Sequence, residues 1–250
     1  MKGVRKIADP PSRGAYHHGH LRDALVEAAA ELVAVHGVEG FSLREAARAV
    51  GVSPAAAYRH FEDKSALLFA VAMDGMGRLA AMMDRAISRA PGPAGTAVHA
   101  AAAFAAVGEA YVEFAVRHPS HFNVMFGSWC DTPPSGEKLE EAASMVRHPY
   151  QILVDILDDL VTAGAVTAEA RQGAEVPAWS AVHGLSSLLV NQALELTRPE
   201  REAALALVTR NLLAGLGYLP PRLPPPQAIP AADPRCVEHR QRVSRKTTGS

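Results

Sequence analysis

The chain has 250 residues, 48% of them hydrophobic but only 6% aromatic, with 20% charged and a formal net charge of −1. The apolar content is mostly alanine, valine and leucine, a mixture that favours helix over sheet, so an all-α fold of one large or two small domains is expected. Arg, Asp or Glu interrupts each apolar run before it reaches the roughly 20 residues of a membrane span, and Met1–Gly19, polar and broken by Pro10-Pro11, does not read as a signal peptide; a cytoplasmic protein without membrane contact is expected. The charge is unevenly spread: residues 1–64 carry net +1, 65–217 net −6 and 218–250 net +4. That asymmetry is compatible with an anionic partner near one end of the chain.

In chain order, Met1–Gly19 holds Lys2, Arg5, Lys6 and Arg13 among helix breakers and reads as a flexible basic arm, either one that meets an anionic partner or a frayed terminus with no role. His17, His18 and His20 form a small cluster, but Asp23 is the one acidic residue close by and no cysteine is near, so no metal is expected. Cys130 and Cys236, far apart and without partners at ligand spacing, read as free thiols. A first helix should run from about His20 to Val35, with Leu21, Leu25, Ala28, Leu32 and Val35 forming one apolar stripe, and Gly37 should stop it.

The stretch Phe41–Leu68 is the most informative. Ser42 is a good N-cap for a helix Leu43–Val50, with Glu45 placed to complete a capping box, and Gly51 ends it in a left-handed turn. Ser53 caps a second helix with Pro54 at its first position, reaching about Phe61. Alanines on the facing surfaces let the two helices approach closely, which is helix-turn-helix geometry.

The order Gly-Val-Ser, then Tyr58-x-His60-Phe61, then Lys64 resembles the DNA-binding domain of the tetracycline repressor (TetR) family over roughly His20–Leu68. The resemblance implies a helix-turn-helix domain at 20–64, a helical effector-binding and dimerisation domain at 65–217, and a homodimer on an inverted-repeat operator in double-stranded DNA. It also implies that Tyr58, His60 and Lys64 bind phosphates, which suits a phenol, an imidazole and an ammonium. Arg59 is the candidate base reader, since its planar fork suits a guanine edge. Arg44 is the second candidate, for a base or a phosphate. Ala55 and Ala56 offer methyl contacts or close backbone approach, and the capping Ser42 and Ser53 complete the DNA-contacting set.

A fourth helix should start at Ser65 and run without a linker to about Ser88, where Pro91-Gly92-Pro93 follows. Further helices are expected at about 96–117, 120–126, 136–163, 176–196 and 199–216. Leu185, Leu188, Leu189 and Gln192, with Leu205, Val208 and Leu212, give two adjacent apolar faces, either protomer core or, by the resemblance, a four-helix dimer interface. Trp179, His183 and Gly184 resemble the Trp-His-Gly motif of a C-terminal regulatory domain found in a TetR subgroup. Phe104, Tyr111, Phe122, Met125, Phe126, Trp129, Tyr150, Trp179 and His183 could line a cavity for a small apolar or amphipathic effector, though a helical core needs the same residues. From Tyr218 the chain turns proline-rich and then basic, and reads as a disordered tail.

These features point to a ligand-responsive, sequence-specific transcriptional regulator, most simply a repressor, with an architectural DNA binder lacking an effector as the alternative. An enzyme is not expected, since the sequence offers no phosphate loop, paired catalytic carboxylates or metal spacing, and no cofactor is implied.

Overall fold

Among the described residues, 20–127 and 147–218 of a computed structural model, the alanine- and leucine-rich pattern folds into helices and no strand. These are α1 (Leu21–His36), α2 (Leu43–Val50), α3 (Pro54–Tyr58), α4 (Lys64–Ser88), α5 (Ala97–Arg117), α6 (Pro119–Phe126), α7 (Pro149–Thr162), α8 (Ala168–Arg171), α9 (Glu175–Val190) and α10 (Arg198–Gly215). The expectations for the basic arm, Trp129, both cysteines and the tail beyond Tyr218 lie outside the described residues. The chain divides into two compact units, Met1–Ala70 and Val71–Ser250, and the division falls inside α4.

In the first unit α1 packs on α2 and α2 on α3. Leu25, Ala29, Ala46, Ala47, Ala57 and Phe61 are buried. The stripe of α1 differs at one end from its sequence reading: Val33 is buried whereas Val35 is 75% exposed. Leu25, Ala29 and Val33 follow one another at i+4, so Val33 continues the inward line and Val35 falls off it.

The second unit is arranged around α5, which touches α6, α7, α9 and α10. One apolar cluster joins Phe104 of α5 to Ile156, Leu157 and Leu160 of α7 and Leu213 of α10, with Tyr218 packed against it. A second joins Val112 of α5 to Leu185 of α9 and Leu205 of α10. Inside this unit α4 meets α6 closely: His121 Nε2 lies 3.1 Å from Asp74 Oδ2, and a side chain at Gly75 would come within 2.6 Å of Met125 Sδ. Burial works against ionisation of Asp74, yet the hydrogen bond from His121 and the Arg78 charge outweigh it and hold the carboxyl below its ordinary range.

Other elements depart from the sequence reading as well. The described part of the helix expected over 136–163 begins at Pro149, which takes the first helical position behind the His148 cap because its ring cannot sit in a helix interior. The helix expected to reach Leu196 stops at Val190; Gln192 adopts φ 55, a left-handed conformation that ends the helix, so Gln192 sits in a turn and not on a helical face. By length and composition α4 could cross a membrane, its mid-helix charges Asp74 and Arg78 notwithstanding, and half of its apolar window is buried within the protein.

Leu160 of α7 is fully buried and Leu188 of α9 is exposed. Leu160→Ala should cost about 2–5 kcal/mol of stability, whereas Leu188→Ala should change it by less than about 0.5 kcal/mol, as read from urea unfolding of the dilute protein followed by circular dichroism.

Candidate DNA interface and ligand cavity

The surface of the first unit is built by its caps. The Ser42 hydroxyl accepts the Glu45 N–H (3.3 Å) and donates to the Glu45 carboxylate (2.9 Å), fixing the start of α2. Gly51, at φ 78, ends α2 in the left-handed region, and the Val52 N–H returns to Ala47 O (2.9 Å). The Ser53 hydroxyl then accepts the Ala56 N–H (3.3 Å) with Pro54 at the first position of α3. This second helix is shorter than its expected reach to Phe61: it closes at Tyr58, and a turn bonded from Phe61 N to Ala57 O (3.0 Å) follows.

Tyr58, Arg59 and His60 are consecutive and exposed. Ala55 presents its methyl to solvent, but Ala56, 8% exposed, is turned one helical step into the interior. Lys64 is anchored at the start of α4: its Nζ donates to Glu39 O (3.2 Å) and lies 5.2 Å from the Phe41 ring centre. Arg44 is exposed on α2, and so is Arg48 one turn later, a cation that the sequence reading passed over although its i,i+4 spacing from Arg44 was visible. Arg22 of α1, also exposed, stacks on Phe61 at 5.3 Å.

The second unit holds a cavity of about 50 Å3, several times the space one ordered water needs. Its walls come from Met76 and Met83 of α4, Phe104, Gly108 and Tyr111 of α5, Phe126 of α6, Tyr150 of α7, Trp179 of α9 and Thr209 of α10, among others. Phe104, Gly108 and Tyr111 follow at i, i+4 and i+7 along one face of α5, so the glycine leaves room between two aromatic rings.

A hydrogen-bonded chain lies at one wall. The Tyr111 hydroxyl accepts the indole N–H of Trp179 (3.2 Å) and donates to His183 Nδ1 (2.9 Å). An indole N–H only donates, and with the His183 proton on Nε2 the phenol proton goes to Nδ1, the tautomer in which both the Trp179 N–H and the Tyr111 O–H are paired. Burial pushes the His183 pKa down and the Tyr111 pKa up, which keeps the imidazole and the phenol neutral. Phe122 stacks on His183 at 5.3 Å and Phe126 meets it edge-on at 4.7 Å.

Residues 25–71 match the sequence model of bacterial regulatory proteins of the tetR family, and residues 104–212 match that of the tetracyclin repressor-like C-terminal domain. A solved structure from Rhodococcus sp. RHA1, of a protein with unknown function, is 31% identical and covers 82% of this chain and 99% of its own, with a TM-score of 0.66. The chain belongs to the TetR family. The helix-turn-helix transcriptional regulator YobS of Bacillus subtilis is 25% identical over 79% of this chain and 93% of that protein. A tetR-family regulatory protein from Rhodococcus RHA1 covers 80% of this chain and 98% of its own with a TM-score of 0.59; at 20% identity that likeness is one of fold.

This TetR-family chain is therefore a DNA-binding transcriptional regulator. Of the residues expected around an effector, Phe104, Tyr111, Phe126, Tyr150 and Trp179 line the cavity, while Phe122, Met125 and His183 stand behind its walls. Val107, Gly108, Val182 and Thr209 line it too and carry no aromatic signal by which sequence reasoning could have found them. Among the residues read as a dimer face, Leu185 and Leu205 are buried in the protomer's own core and Leu212 lines the cavity; Leu188 is exposed, and Leu189 and Val208 are half-buried.

Tyr111→Phe leaves the Trp179 N–H and His183 Nδ1 without their partner and should cost about 1–2 kcal/mol in urea unfolding. Because folding holds His183 below its ordinary pKa, the unfolded chain binds more protons as pH falls through the ordinary value, and stability falls with it; His148, also held down by burial, acts in the same direction. The urea midpoint should drop between about pH 7.5 and about pH 5.5, and His183→Gln should make that drop shallower.

Proposed function

We propose that this regulator acts as a homodimeric, ligand-responsive repressor on an inverted-repeat operator. The observation that carries the reading is α4 itself, a single helix that starts with Lys64 beside the helix-turn-helix and lends Met76 and Met83 to the cavity of the second unit. A ligand that moves those methionines acts on the same continuous helix that leaves the DNA-binding unit. Release needs only that the ligand bind more tightly to a dimer whose two recognition helices are wrongly spaced for successive major grooves.

At the DNA, Tyr58, His60 and Lys64 contact phosphates, Arg59 reads a base edge, and Arg44 takes a base or a phosphate, with Ser42, Ser53 and the exposed Ala55 close to the backbone. The dimer forms through α9 and α10, where Leu188, Leu189 and Val208 remain available as a partly exposed apolar edge. The protein works in the cytoplasm, where its operator is.

Selection of bound duplexes from a random library at near-physiological salt tests the reading: an enriched palindrome is expected, and salt-sensitive binding without enrichment would replace it with an architectural role. On the selected operator, Arg59→Ala should cost about 1–3 kcal/mol and relax one position in each half-site. Lys64→Ala should weaken all sequences alike and flatten the salt dependence of log K by about one per subunit.

A further inference from the structure

The cavity is lined by no Lys, Arg, Asp or Glu among the described residues. Its one lining imidazole, His148, uses Nδ1 to accept the Tyr150 N–H (3.2 Å) and is pushed towards its neutral form by burial. An ion entering such a space would give up its hydration and meet no counter-charge. An uncharged guest gives up little and gains contact with aromatic walls.

Three side-chain polar groups in the walls have no hydrogen-bond partner among the described residues, the Tyr150 hydroxyl, His148 Nε2 and the Thr209 hydroxyl; His148 and Tyr150 are exposed to water, and Thr209 is the buried one of the three. The Tyr111 hydroxyl already accepts from Trp179 and donates to His183. The Thr209 side chain, 8% exposed and facing the cavity, has no hydrogen-bond partner among the described residues. A hydroxyl so placed gains most from a guest that brings its own donor or acceptor.

Size narrows the guest further. The cavity measures about 50 Å3, well under the roughly 150 Å3 cavity that takes up benzene elsewhere. A guest as large as one ring therefore enters only if a wall side chain gives way; Tyr150, 40% exposed and 6.0 Å from the Trp179 ring, is the most exposed of the lining Phe, Tyr and Trp rings, whereas the Trp179 N–H is held by Tyr111.

We infer that the ligand of this cavity is an uncharged, single-ring aromatic molecule carrying one hydroxyl or equivalent hydrogen-bonding group, which Thr209 receives. The inference rests on the cavity being the sensor site and adds the charge class of the ligand and the residue that selects its polar group. Titration calorimetry of the full chain at about pH 7 with phenol, toluene, benzoate and benzylammonium separates the two ideas. Phenol should bind, with benzoate and benzylammonium at least about tenfold weaker. Thr209→Val should weaken phenol by about 3–10-fold and leave toluene unchanged, and Thr209→Ser should restore phenol. Benzoate or benzylammonium binding as tightly as phenol, or Thr209→Val weakening toluene as much as phenol, would overturn the ligand class while leaving the sensor reading in place. Binding of none of the four at millimolar concentration would overturn both.

Discussion

The second unit depends on the need to cover α5 on nearly every side. Ten of its 21 residues are buried, from Ala100 to Ala115, and only the side that carries Glu109, Glu113 and Arg117 is polar; a helix with so broad an apolar face is stable only when that face is covered. Its alanines let α7, α9 and α10 come close. Where α5 changes from alanine to Phe104, Gly108 and Tyr111, large rings hold the neighbours apart and the glycine leaves the gap unfilled. The cavity is thus a consequence of the composition of one helix face.

Polar contacts in this unit give direction more than stability. Arg147 reaches Asp84 of α4 at 2.6 Å and also Asp155 of α7, and Arg171 joins Asp158 of α7 to Glu175 of α9. The exposed Arg147 pairs are each worth about 0–1 kcal/mol, whereas the Arg171–Glu175 pair is largely shielded from water. The Trp179–Tyr111–His183 chain is different because Tyr111 is buried. There the Trp179 N–H and the Tyr111 O–H each have one acceptor, and the Phe122 ring stacks on His183 at the end of the chain.

The helix-turn-helix was legible because its determinants are local. A serine cap, a left-handed glycine, a second serine cap and a proline at the next position act within three or four residues, and the structure uses Ser42, Gly51, Ser53 and Pro54 in those roles. The length of α3 was less legible. The residues 54–61 have reasonable helical propensity throughout, and the stop after Tyr58 comes with Phe61 turning into the core, a tertiary contact that local propensity does not encode.

The sequence by itself determined the family, the all-α fold and most helix boundaries, since caps, turn glycines and apolar periodicity are properties of neighbouring residues. Only the tertiary structure decided which apolar residues face which neighbour. Leu185, Leu188, Leu205 and Leu212 look alike in sequence, yet two are core, one is exposed and one lines the cavity, because a rotation of one residue along a helix moves a side chain by about 100°. Likewise Thr209 is an ordinary helix residue until α5, α7 and α9 enclose it. Its role depends on what surrounds it, and that surface is assembled from segments distant in the chain.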